Sequence, residues 1–152
     1  MAKVKIVYGS GGGNTEVVCE KVEQVMRDLG HEVVLLKAKV SEPSDIGEFD
    51  LLILASPTYG HGILESYFGE FLEKLRGVDL QGRLCGIIGL GDPKYDDDYH
   101  IESVKIIHDF LVEKGAVLVH IPLRISKSPY PLLNTHAGSW AEKVSEKLKV
   151  KS

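Results

Sequence analysis

Short apolar runs alternate along the chain with longer segments in which hydrophobic residues recur every three or four positions. The short runs are typical of β-strands and predict five of them, over residues 3–8, 32–36, 50–55, 83–89 and 117–120, the last resuming at 123–125. The periodic segments predict four helices, over residues 14–29, 64–75, 101–114 and 135–149. Strands and helices that alternate in this way indicate an α/β fold, in which helices cover both faces of a doubly wound parallel sheet.

The apolar residues within these segments predict where the core lies. Five of them form one stripe on the first helix: Val18, Val22, Val25, Met26 and Leu29. Three more are expected to face inward on the last helix: Trp140, Val144 and Leu148. The run from Leu51 to Leu54 has no polar alternation, which is typical of a strand buried on both faces.

Composition narrows the class of protein. With 152 residues, 43% hydrophobic, the chain is expected to form one globular domain over residues 1–152. Its net charge of −4 argues against nucleic acid as a partner.

The longest wholly apolar run, residues 51–55, is far shorter than a membrane-spanning helix, and the N-terminus lacks a signal-peptide pattern, so we expect a cytoplasmic protein with no membrane partner. Cys19 and Cys85 lack Cys-x-x-Cys companions and are interpreted as core residues.

The first loop with distinctive chemistry spans residues 9–16 and reads GSGGGNTE. It joins a predicted strand to a predicted helix, where backbone N–H groups and the helix N-terminus attract anions. It has no lysine for a Walker loop, and Asn14 stands where a dinucleotide motif has its last glycine. It also lacks the acidic residues that a receiver domain carries directly after its first strand. The loop predicts a phosphate site, the alternative being a turn that Asn14 or Thr15 merely caps.

Two further loops place aromatic residues at the carboxyl ends of buried strands. Residues 56–62 read SPTYGHG, and residues 89–95 read GLGDPKY. Tyr59 and Tyr95 could each stack on a flat heterocycle, and the neighbouring glycines allow close approach of the backbone. The alternatives are that Tyr59 is a half-buried plug and that the second segment is a capped turn. In parallel sheets these loops meet at one edge, so we expect one shared site.

A phosphate loop with two aromatic loops describes a site for a flat phosphorylated cofactor, and here the sequence resembles the flavodoxin family. Residues 8–16 resemble its signature for the phosphate of FMN, residues 58–60 its loop on the inner flavin face, and residues 89–95 its loop on the outer face. The resemblance implies a five-stranded parallel sheet with order 2-1-3-4-5 and bound FMN. It also implies a set of cofactor-binding residues: Ser10, Gly11, Gly12, Gly13, Asn14, Thr15, Pro57, Thr58, Tyr59, Gly60, His61, Leu90, Gly91, Asp92 and Tyr95.

Some positions depart from the family pattern. Gly11 and Gly12 stand where hydroxyl residues are usual, so at least one side-chain bond to the phosphate should be missing. The third loop is longer than usual, and Tyr99 therefore competes with Tyr95 for the outer face. Five acids and one lysine between Asp92 and Glu102 would place negative charge beside the flavin, where it could steer a basic partner.

The resemblance implies a low-potential one-electron carrier rather than an enzyme, a monomer with no catalytic residues and no metal. Its partners would be redox proteins, a reductase as electron donor and an enzyme as acceptor. One alternative is an FMN-dependent NAD(P)H:quinone or flavin reductase of the same fold. Another is a scaffold or receiver-like domain that binds no flavin.

Overall fold

The sheet and its covering helices are seen in a computed structural model that describes residues 1–10, 12–59, 63–91 and 101–151. The strands of the described chain are β1 (Lys3–Tyr8), β2 (Glu32–Lys37), β3 (Leu51–Tyr59), β4 (Ile63–Leu64), β5 (Leu84–Leu90), β6 (Val117–Leu118) and β7 (Leu123–Ile125). The helices are α1 (Asn14–Asp28), α2 (Ser66–Leu75), α3 (Glu102–Glu113) and α4 (Ser139–Lys151). None of these described helices has the length and apolarity that crossing a membrane requires.

Parallel pairing orders the sheet β2-β1-β3-β5, and two short segments share the outer side of β5. β6 pairs with the start of β5 at Leu84 and Cys85, whereas β7 pairs with its end, from Ile88 to Leu90. The two segments together occupy the fifth strand position. This confirms the predicted doubly wound sheet with order 2-1-3-4-5, including the strand that resumes after Pro122.

Each face of the sheet carries its own hydrophobic core. Alternate residues of β3 point to opposite faces, so that Leu51 and Ile53 lie in one core and Leu52 and Leu54 in the other, all fully buried. The first core contains apolar side chains of α1 and α4: Val18, Val22, Trp140, Val144 and Leu148. The second contains side chains of α2 and α3: Phe68, Phe71, Ile107 and Leu111. The predicted burial of β3 on both faces is therefore confirmed.

One residue of the predicted α1 stripe is not in the core. Leu29 is 41% exposed, because α1 ends at Asp28 and the chain leaves the helix there. Gly30, with a φ of 95°, makes the turn that reverses the chain toward β2. The stripe prediction is wrong at its last position, and Val25 is only partly buried.

β3 extends beyond its predicted end at Ala55. Residues 56–59, expected to be a loop, continue the strand, because Ser56 and Pro57 pair with the end of β5 and Tyr59 pairs with β4 in an antiparallel turn. β1 ends opposite Ala55, so a proline beyond that point removes no hydrogen bond to β1. The same turn delays α2, predicted from residue 64, until Ser66, where the Glu65 carboxylate accepts from two backbone N–H groups.

We expect the two cysteines to resist thiol reagents in the native protein. Both are fully buried, and burial raises the pKa of the Cys19 thiol far above its usual range and that of Cys85 to about 12. Only the thiolate is nucleophilic, so neither sulfur should react with a disulfide reagent near pH 8. Both should react in denaturant, as a colorimetric thiol count would show. A native thiol that reacts within minutes would contradict the buried placement.

Candidate functional site

The carboxyl ends of β1, β3, β5 and β7 meet around a cavity of about 430 Å³. Its described lining comprises Ser10, Gly12, Asn14, Thr15, Pro57, Thr58, Tyr59, Leu90, Gly91, Lys127 and Ser128. The first nine were predicted site residues, and the structure brings them together although they come from three separate segments. Gly13 lies between two lining residues, at the start of α1.

The loop after β1 presents the N-terminus of α1 to this cavity. Gly13 is the N-cap residue and has a φ of 88°, a left-handed conformation that suits glycine. Because glycine has no side chain, it makes no side-chain hydrogen bond that caps the helix. The Ser10 hydroxyl oxygen accepts a hydrogen bond of 2.9 Å from the Gly13 N–H, which closes the loop on itself. Among the described residues, no hydrogen bond shows Asn14 or Thr15 capping the helix.

Thr15 supplies the clearest sign that the cavity takes a polar ligand. The residue is 1% exposed, and its hydroxyl has no hydrogen-bond partner in the described part of the chain. A buried hydroxyl without a partner is costly, and native proteins satisfy the great majority of such groups. Thr15 lines the cavity beside the first turn of α1, where a bound anion would accept a hydrogen bond from the hydroxyl. The phosphate of FMN fits this donor.

Tyr8 links the end of β1 to the same helix. Its hydroxyl donates a hydrogen bond of 3.2 Å to a carboxylate oxygen of Glu16, in the first turn of α1. Burial, reinforced by that nearby carboxylate, raises the pKa of Tyr8 to about 12. The phenol therefore stays protonated at neutral pH and keeps Glu16 engaged with β1.

The other end of the cavity is made of β3 and β5 and is suited to a flat, less polar group. Tyr59 is 40% exposed and lines the cavity, so part of the residue is accessible from it. The Thr58 hydroxyl oxygen accepts a hydrogen bond of 3.0 Å from the Ser103 N–H, which ties β3 to the start of α3. The Gly91 N–H donates to the Ile125 carbonyl oxygen at 2.8 Å and holds the end of β5 against β7.

A second cavity of about 350 Å³ lies beside the first and shares Ser10 and Tyr59 with it. Two basic residues, Lys37 and Lys39, contribute to its lining, and the Lys39 ammonium lies 5.3 Å from the centre of the Tyr67 ring. This cavity lacks Thr15 and the start of α1. The first cavity is therefore the better candidate for a phosphorylated cofactor.

Several predicted site residues lie outside the described residues: Gly11, Gly60, His61, Asp92 and Tyr95. Tyr99, the alternative to Tyr95 for the outer face of the flavin, also lies outside the described residues. Sequence reasoning missed Lys127 and Ser128. A signal for them existed, because they follow the predicted strand 123–125, whose carboxyl end must share the edge of the parallel sheet with the other three loops. No cluster of metal-binding side chains occurs in the part of the chain that the structure describes.

The comparisons with known proteins agree with this geometry. The family model for flavodoxin matches residues 6–148. The flavodoxin of Haemophilus influenzae is 31% identical over 121 residues, which cover 78% of this chain and 67% of that protein.

Solved structures show the same fold. The crystal structure of oxidised flavodoxin 2 from Bacillus cereus is 32% identical, with a TM-score of 0.87 over 96% of this chain and 99% of that one. The Fusobacterium nucleatum flavodoxin bound to flavin mononucleotide has a TM-score of 0.82 over 97% of this chain and 99% of that one, and at 21% identity it shows the fold alone. From the match over residues 6–148 and these relatives, the chain belongs to the flavodoxin family of flavin-binding electron carriers.

Proposed function

We propose that this protein binds FMN in the cavity at the edge of the sheet and carries electrons singly, at low potential, between a reductase and an acceptor enzyme. The observation that carries the choice of FMN is the buried Thr15 hydroxyl at the start of α1, which has no hydrogen-bond partner among the described residues. The fold-related Fusobacterium nucleatum protein binds flavin mononucleotide, which supports the same ligand here.

The described residues divide between the two ends of such a ligand. The hydroxyls of Ser10 and Thr15 and the N–H groups that begin α1 would hold the phosphate. Tyr59 would pack on the flavin ring, and Pro57 and Leu90 would exclude water from it. Bound flavin supplies the reversible uptake of electrons, while the protein provides orientation and nearby charge.

Titration of the apoprotein with FMN and with riboflavin tests the choice of ligand. We expect flavin fluorescence to be quenched on binding, with FMN bound at least tenfold more tightly, because riboflavin lacks the phosphate that Thr15 and the start of α1 would hold. Equal affinities would contradict a phosphate site. A protein that takes up neither flavin would favour the scaffold alternative.

Turnover separates the carrier from the reductase alternative. We expect the FMN-loaded protein to oxidise NADH or NADPH only when a separate flavodoxin reductase is added, because a carrier of this kind is reduced by a partner protein. Steady-state consumption of either nicotinamide by the purified protein alone, followed at 340 nm, would contradict the carrier proposal.

A further inference from the structure

Lys127 stands apart from the other described residues that line the main cavity, because it is the only charged one among them. Its side chain is exposed, and it makes no ion pair or hydrogen bond with another described residue. Residues 9–16 contain no lysine or arginine, so the loop that would hold the phosphate has no cation of its own. A dianion bound there would lack a positive side chain unless another segment supplied it.

The course of the chain after β7 places Lys127 in the lining of the main cavity. From the end of β7 the chain crosses to α1, where Gly138 lies beside the Lys21 and Val25 side chains and Leu133 packs against the core on that face. Lys127 and Ser128 lie at the start of this crossing and line the cavity together with Gly12 and Asn14. The Lys127 ammonium is carried on a flexible four-carbon stem, which leaves it free to turn toward a ligand in the cavity.

The absence of a side chain at Gly12 leaves the proposed phosphate site with one donor fewer, which a cation could replace. A Cβ built on Gly12 meets nothing within 4 Å, and its backbone is not in the left-handed region, so the local backbone leaves room for a Cβ. The chain nevertheless places no hydroxyl at this position. The residues that would donate hydrogen bonds to the phosphate therefore do not include a side-chain hydroxyl at position 12.

We propose that Lys127 is a phosphate-binding residue that pairs with the FMN phosphate and sets the preference for the phosphorylated flavin. This inference rests on the proposed function, since it assumes that the main cavity takes FMN. The interaction of the exposed Lys127 ammonium with the phosphate would be screened by salt and so would depend on ionic strength, whereas the hydrogen bond from the buried Thr15 hydroxyl would not.

Fluorescence titrations of the apoprotein test this role. In Lys127→Gln we expect FMN affinity to fall about threefold to tenfold at low salt, riboflavin affinity to stay unchanged, and the loss to shrink toward 1 M salt, where the Debye length is about 3 Å. Lys127→Arg should keep the affinity. Two lysines serve as matched controls: Lys143→Gln removes an exposed charge on α4, and Lys37→Gln removes one from the neighbouring cavity.

The outcomes separate this inference from the proposed function. If wild-type apoprotein prefers FMN but Lys127→Gln binds it equally well at low salt, the assignment of Lys127 is wrong and the FMN site stands. The same follows if Lys143→Gln causes an equal loss, because the effect then comes from net charge. If the wild type does not prefer FMN over riboflavin, the proposed site itself fails.

A second variant tests the link to Gly12. Gly12→Ser adds a hydroxyl donor where the backbone has room, so it should strengthen FMN binding and make the Lys127→Gln loss smaller in the double variant. Strictly additive effects on FMN affinity would show that the two positions do not act on one group and would overturn the shared phosphate contact.

Discussion

Replacing Thr15 with valine should weaken FMN binding by about one to two orders of magnitude and leave riboflavin binding nearly unchanged. A hydrogen bond to a charged group is worth about 1.5–3 kcal/mol, and 1.4 kcal/mol is a factor of ten in affinity. Valine keeps the shape of the side chain and removes only its hydroxyl. Fluorescence or calorimetric titration of the apoprotein with both flavins would measure the difference, and Thr15→Ser, which keeps a hydroxyl, should retain most of the affinity.

The stability of the Thr15→Val apoprotein should not fall together with its affinity for FMN. The wild-type hydroxyl is buried and has no partner within the described residues, so its removal should leave the apoprotein at least as stable as wild type in urea. A hydroxyl that merely supported the fold would give the reverse, lower apoprotein stability with equal losses for FMN and riboflavin. That result would remove Thr15 from the phosphate site.

Replacing Gly89 with alanine should lower the free energy of unfolding by about 1–3 kcal/mol. Helix α3 packs so closely on β5 that a Cβ on Gly89 would lie 2.3 Å from a methyl carbon of Val104, 2.9 Å from the Ser103 hydroxyl oxygen and 3.3 Å from the Val104 backbone nitrogen. The backbone contact means that the helix itself must move. Equilibrium unfolding of the apoprotein in urea measures the loss, as a lower midpoint at unchanged slope.

Gly69 provides the matched control for Gly89. It lies inside α2, and a Cβ there would meet nothing closer than the Leu64 Cβ at 4.0 Å. Gly69→Ala should therefore raise stability by about 0.5–1 kcal/mol, the usual gain for this change within a helix. Equal effects of the two substitutions would show that close packing at Gly89 is not what disfavours a side chain.

Much of the fold and of the site could be predicted because it depends on patterns along the chain. Hydrophobic periodicity records which face of an element is buried, so the alternating strands and helices and the fully apolar run of β3 indicated a parallel sheet covered on both faces. The glycine-rich loop indicated an anion site because its backbone chemistry is local, and the structure places Ser10, Asn14 and Thr15 around one cavity.

Other features were decided only by what lies across from each residue in three dimensions. β3 continues to Tyr59 because β5 and β4 offer hydrogen-bond partners there, which no local pattern records. Gly89 lies under the backbone of α3, so the close packing of that helix explains why this position has no side chain. Lys127 reaches the cavity through the crossing from β7 to α1. The sequence by itself determined the elements and their buried faces, whereas tertiary packing decided which distant residues share the site, because periodicity describes an element and not its neighbours.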